Sequence, residues 1–156
     1  MKTLNRYIIE GLKIGSKTKV KNNIYSCKPK DRYELKNIIE KRLKKDKDAN
    51  LNDIDVSDVT DMFNLFYKLD PHNIDISEWD VSNVINMSCM FDGCKNFNCD
   101  ISNWDVSKVQ DMYSMFFNCK EFNSDLSRWD VSNVINMTYM FNQCISLKNK
   151  PSWYKR

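Results

Sequence analysis

The chain has 156 residues, enough for one compact domain or one short array and too few for two sizeable cores. Hydrophobic residues make up 42% and charged residues 29%, which excludes a disordered or collagen-like chain. No apolar run approaches the roughly 18 residues that a membrane-spanning helix needs. The net charge of +3 hides a strong polarity. Residues 1–50 hold 15 Lys/Arg against 6 Asp/Glu, a net of +9; residues 51–147 hold 5 against 15, a net of −10; and residues 148–156 add four cations.

Residues 1–30 form a basic N-terminal arm, of which 1–25 read as a short helix followed by a Lys-rich strand or linker. The start, Met-Lys-Thr-Leu-Asn-Arg-Tyr-Ile-Ile-Glu, lacks a long apolar core and a small-residue cleavage site. A secretory signal is therefore not expected, and the expected location is the cytoplasm. Residues 31–50 predict an amphipathic capping helix. Asp31 and Glu34 form an Asp-x-x-Glu capping box, Leu35, Ile38, Ile39 and Leu43 form one apolar stripe, and Lys41–Lys47 place cations where the helix dipole favours them.

Residues 51–147 repeat with a period of 25. Trp79, Trp104 and Trp129 share a column, with Ile54 before them and Tyr154 after. Val56, Val81, Val106 and Val131 form a second column, and Val59, Val84, Val109 and Val134 a third. Met62, Met87, Met112 and Met137 follow, then Phe66, Phe91, Phe116 and Phe141. Four copies run in register without an insertion. The alternation Ile76, Trp79, Val81 predicts a short strand, and the i, i+3, i+4 spacing of Met87, Met90 and Phe91 predicts one or two helical turns. Ser82, Ser107 and Ser132 stand where helix N-caps would fall. One unit cannot bury its own apolar face, so neighbours must stack. The expected fold is an α/β repeat: a short right-handed leucine-rich-repeat-type solenoid of parallel strands and helical turns, with an N-terminal helical cap and a basic tail over 148–156.

Only three glycines are present, and the repeats turn instead at Asn98, Asp100, Asn123 and Asp125, whose side chains can close turns on their own backbone. Cys94, Cys119 and Cys144 share a column with Leu69 and read as small buried hydrophobes. Cys27, Cys89 and Cys99 fall outside it, and reduced thiols are expected. His72 is the only histidine, and Gly11, Gly15 and Gly93 make no phosphate-cradling loop. No catalytic residues, metal ligands or cofactor are expected, and the chain is not expected to be an enzyme.

The unit W-D-V-S-x-V-x-x-M-x-x-M-F over residues 51–147, with the helical stretch before it, closely resembles the BspA-like leucine-rich repeat family. That resemblance implies a repeat-built binding protein without catalysis, in a family whose members are mostly of the cell surface. The opening at Leu4, Asn5, Tyr7, Ile8, Ile9, Glu10, Leu12, Lys13 and Ile14 is similar to that of short signal-less versions encoded by phages.

Columns that stay constant build the scaffold, and columns that change are free to specify a partner. The residues before each Trp are Glu78, Asn103 and Arg128, and Lys108 follows a repeat serine. Phe63, Tyr67, Tyr113, Phe117 and Tyr139 place large aromatics outside the core columns, with Phe63/Tyr67 and Tyr113/Phe117 as i, i+4 pairs on one face. These nine residues are the candidate partner-binding set. The expected function is a non-enzymatic protein–protein interaction module, a phage-encoded binder or inhibitor of a host defence protein. The alternatives are a nucleic-acid binder using the basic arm, a bacterial surface adhesin, and an acidic nucleic-acid mimic. The plainest use of the arm is to lie near the acidic body and ease its self-repulsion.

Overall fold

A computed structural model describes residues 25–155. The short helix and Lys-rich linker expected before that, and the phage-like opening, lie outside the described residues. Helix α1 spans Arg32–Leu43. The N-cap Asp31 accepts the Glu34 N–H at 2.9 Å, while the Glu34 carboxylate reaches back to the Lys30 N–H at 3.0 Å, one residue further out than a capping box predicts. Leu35, Ile39 and Leu43 are buried, and α1 covers one end of the remaining chain.

Beyond α1, the described residues form neither helix nor sheet. Their strand-like pairing is confined to isolated parallel bridges, such as Asp61 to Asn86, Asn86 to Asp111 and Asp111 to Asn136. The expected α/β leucine-rich-repeat-type solenoid, with parallel strands and helical turns, is therefore overturned. The period of 25 builds coils made of turns. Its physical cause is the left-handed backbone at Asn64, Cys89, Ser114 and Tyr139 (φ 50 to 59) and at Lys68, Gly93, Asn118 and Gln143 (φ 56 to 77). A residue with φ in this region interrupts helix and strand alike, and here two fall four residues apart in every coil. The Met87, Met90, Phe91 spacing buries its side chains through i, i+3 turns, such as Met90 N–H to Met87 O at 3.2 Å.

Successive coils are joined by alternate amides. The N–H groups of Met62, Asn64, Phe66 and Lys68 donate to the carbonyls of Asn86, Ser88, Met90 and Asp92 at 2.8 to 3.2 Å. The same four columns join Met87, Cys89, Phe91 and Gly93 to the third coil, and Met112, Ser114, Phe116 and Asn118 to the fourth. Side chains repeat the register. Phe66, Phe91, Phe116 and Phe141 stack at 5.2, 5.6 and 5.7 Å. Phe97 and Phe122 lie flat against this column at 4.0 and 4.2 Å. The indole N–H groups of Trp79, Trp104 and Trp129 donate to the carbonyls of Leu51, Ile76 and Ile101. The next place in that series goes to Trp153, which donates to Leu126 O at 2.9 Å, and not to Tyr154 as strict register predicts. Tyr154 instead meets Phe141 edge-on at 5.0 Å.

The recurring Asp-x-Ser is a turn signal. Asp55, Asp75, Asp80, Asp100, Asp105, Asp125 and Asp130 each accept the serine N–H two residues on, at 2.9 to 3.1 Å. Ser82, Ser107 and Ser132 are thus partners of an aspartate and not helix N-caps. Asn98 Oδ1 accepts the Asn123 N–H at 2.9 Å and so bridges neighbouring coils, in place of a turn closed on its own backbone.

Hydrogen bonds from Ser102 and Ser127 N–H hold the Asp100 and Asp125 carboxyls below the usual range, and the hydroxyls and N–H groups of Ser107 and Ser132 do so for Asp105 and Asp130. Burial pushes Asp55 and Asp75 up, but Ser57 with Lys28 for the first, and Ser77 with Asn52 for the second, outweigh it, so both also end below the ordinary value. A depressed folded pKa stabilises the fold above the unfolded value of about 4, and that stability is lost as pH falls through the folded values. The urea midpoint is expected to hold from pH 7 to about pH 5 and to fall steadily below it. Replacing Asp105 and Asp130 together by Asn, which keeps the acceptor as Asn86 and Asn136 do, should flatten that fall. An unchanged slope in the double variant would refute the assignment. The left-handed positions give a second test. Gln143, exposed at φ 63, should gain about 1 kcal/mol on Gln143→Gly and lose stability on Gln143→Val, read as opposite shifts in Tm.

Candidate interaction surface

Apolar columns of the core are almost completely covered, with Met62, Met87, Met112, Phe66, Phe91 and Phe116 at 0% exposure. Against that background a set of large apolar side chains stands open: Phe63 at 37%, Ile85 at 45%, Tyr113 at 38%, Tyr139 at 54% and Ile135 at 84%. Ile85 and Ile135 stand one residue before Asn86 and Asn136, Phe63 and Tyr113 two residues after Asp61 and Asp111, and Tyr139 three residues after Asn136. Each of Asp61, Asn86, Asp111 and Asn136 accepts the N–H two positions on, from Phe63, Ser88, Tyr113 and Thr138, and so fixes where the next side chain leaves the coil. Tyr113 and Tyr139, one coil apart, meet edge to face at 6.0 Å. At the helix end Arg32 lies over both Phe63 and the exposed Tyr33, at 5.3 and 4.7 Å from the ring centres.

Of the residues singled out from sequence, Phe63, Tyr113 and Tyr139 stand on this face. Tyr67 and Phe117 are half-buried, and the expected i, i+4 ring pairs do not form: Tyr113 pairs with Tyr139 and Tyr67 carries Lys68 Nζ over its ring at 4.7 Å. Without a helix, a spacing of four no longer puts two side chains side by side. Glu78, Asn103, Arg128 and Lys108 are exposed, and Lys108 Nζ bonds Asn83 Oδ1 one coil back at 2.8 Å. Ile85, Ile135 and Tyr33 belong with the face but were not in the predicted set. The signal for the two isoleucines was a changing column that holds Gln110 between them.

The cations around α1 are engaged with the body. Arg32 Nη1 bonds Asp61 Oδ2 at 2.7 Å, Arg42 Nη2 bonds Asp53 Oδ2 at 2.9 Å, and Lys28 Nζ reaches Asp58 at 2.8 Å. Lys36 and Lys47 donate to the carbonyls of Asn64 and Leu69. The Arg42 guanidinium holds the Asp53 carboxyl below its ordinary range. In these residues basic segment and acidic body neutralise one another, which leaves fewer free cations for phosphate.

A protein family described as "Mycoplasma protein of unknown function, DUF285" matches residues 34–154. The curated proteins contain no match, and neither do the solved structures.

Among the described residues, no group of three or more His, Cys, Asp or Glu is placed to hold a metal ion. The column thiols of Cys94, Cys119 and Cys144 donate to the carbonyls of Phe66, Phe91 and Phe116 at 2.9 to 3.0 Å. Burial pushes Cys94 up to about 12 and Cys144 up to about 11, and raises Cys119 as well. Such thiols carry almost no thiolate at neutral pH and are inert as nucleophiles. Beside the aromatic face, Cys89 is raised by burial and by Asp92 and Asp111. Alkylation of the native chain at pH 7 should leave Cys94, Cys119 and Cys144 unmodified by peptide mass mapping, and denaturant should expose all three. Equal rates in both states would contradict their burial.

Proposed function

The chain belongs to the DUF285 family, and we propose that it is a non-enzymatic protein-binding module whose partner sits on the face carrying Phe63, Ile85, Tyr113, Ile135 and Tyr139. The observation behind this reading is the contrast in exposure: these side chains stand 37 to 84% open on a scaffold whose Val, Met and Phe columns are closed to within a few per cent in the first three coils. Grouped exposed apolar side chains mark interaction sites, and tyrosine and phenylalanine are favoured anchors because they bury much area at little entropic cost. The proposal that the target is a host-cell protein, met in the cytoplasm, rests on the resemblance of residues 4–14 to phage-encoded chains.

Site-specific photo-crosslinking tests the reading. A benzophenone amino acid replacing Tyr113 should capture a discrete protein from bacterial lysate. Phe63→Ser and Tyr139→Ser should each weaken binding of that protein by about tenfold, a loss of about 1.4 kcal/mol. Glu78→Ser and Arg128→Ser, away from the face, should leave binding intact. All four variants alter exposed side chains, so their unfolding midpoints should stay within about 1 kcal/mol of the parent. Equal loss from both pairs of variants, or capture of nothing, would sink the proposal.

A further inference from the structure

The alternate amides that join the coils form continuous columns. Asn86 accepts from Met62 through its C=O, and the N–H of the same peptide unit, on Met87, donates to Asp111. The next unit repeats this from Met112 to Asn136. All the dipoles in a column therefore point one way, as they do along an α-helix, with carbonyls toward α1 and N–H groups toward the C-terminal coil. In that last coil the N–H groups of Met137, Tyr139, Phe141 and Gln143 have no acceptor among the described residues.

A groove of about 590 Å³ opens at this end, lined by Ile135, Met137, Tyr139, Lys150, Tyr154 and Lys155 among others. Its only charged lining residues are the two lysines, in contrast to the net −10 of residues 51–147. Val131, Val134 and Met137 remain partly open there, whereas Val106, Val109 and Met112 of the preceding coil are 0 to 2% exposed. Pro151 to Tyr154 cover the Trp129 and Phe141 columns and leave the Val131–Met137 stretch uncovered. The groove thus offers a row of amide donors, two cations and an apolar floor.

We propose that this groove docks an extended acidic segment of a partner protein, whose backbone carbonyls take the N–H groups of Met137 and Tyr139 and whose carboxylates meet Lys150 and Lys155. The proposal rests on the protein-binding reading and names the chemistry of the partner. Edge addition of this kind draws affinity from main-chain bonds and specificity from side chains. A second copy fits poorly, because two such ends would set N–H against N–H, and the carbonyl end lies against α1. Residues 1–24 fit poorly as well, since their six Lys/Arg against one Glu would meet a cationic groove.

The test uses the full chain and two short synthetic peptides, one alternating Glu with Ile and one alternating Lys with Ile. The Glu peptide should bind about tenfold or more tightly than the Lys peptide at low salt, and added salt should weaken it. Amide exchange at Met137 and Tyr139, followed by NMR, should slow when it binds. Lys150→Glu with Lys155→Glu should reverse the preference between peptides, with changes in the unbound spectrum confined to the Tyr154 ring that Lys150 Nζ overlies at 5.5 Å and to neighbouring residues. Equal binding of the two peptides overturns the proposal, as does unchanged exchange at those amides. Protection already present in the free chain, or protection that rises with protein concentration, overturns it in favour of an internal segment or a second copy. Failure here with the Tyr113 crosslink intact sinks only the groove, whereas loss of the crosslink sinks the wider reading.

Discussion

The constraint on which this molecule depends is that every coil must hand its alternate peptide groups to the next coil in register. Main-chain donors and acceptors cannot be buried unpaired without losing about 1–3 kcal/mol each. Between Met62 and Asn118 that requirement is met by bonds along the stack alternating with i, i+3 turns inside each coil, and not by a helix or sheet. A slip of one residue would unpair the columns and carry Phe66, Phe91, Phe116 and Phe141 out of their stack together. The absence of insertions across four repeats follows directly.

The same constraint explains the residues that look ill-suited to their backbone. For alternate N–H groups to face one side, the chain reverses at Asn64, Cys89, Ser114 and Tyr139, and again at Lys68, Gly93, Asn118 and Gln143. A non-glycine residue in this conformation costs about 1–2 kcal/mol, which the ladder bonds and the Phe and Trp columns offset. Scarce glycine is therefore a trade: Asn and Asp close the outer turns through their side chains, and ordinary residues are forced left-handed inside the ladder. Gly93 is the one position that meets the demand without strain. A Cβ there would come within 3.2 Å of Lys68 Cγ of the preceding coil.

Period and core were legible in the sequence because identical side chains at a fixed spacing can only stack. The Val, Met and Phe columns, the Cys column and the stripe of α1 all lie where their periodicity puts them. Secondary structure was not legible, because i, i+3, i+4 spacing buries the same residues in a helix and in a chain of i, i+3 turns. Nothing in Cys89 or Tyr139 announces a positive φ. Tyr154 was misplaced for a related reason: register from the period points at it, while the indole N–H of Trp153 is the group that reaches Leu126 O. Of the candidate surface, Phe63, Tyr113 and Tyr139 were readable as aromatics outside core columns. Tyr67 and Phe117 were paired with them only on the premise of a helix.

Charge polarity along the chain acquires a direction from the aligned amides. Carbonyls of the columns face the side on which Arg32 and Lys36 bond the first coil, so cations there complement the negative end of the dipoles as Lys and Arg do at a helix C-terminus. At the opposite end the same dipoles present N–H groups, and an unoccupied positive end favours carboxylates in its neighbours. Lys150 and Lys155 stand there instead. Cations beside free amide donors oppose each other among the described residues, and an anionic group relieves both at once. The first end is thus electrostatically satisfied from within the chain, and the second is complementary to something the described residues do not supply.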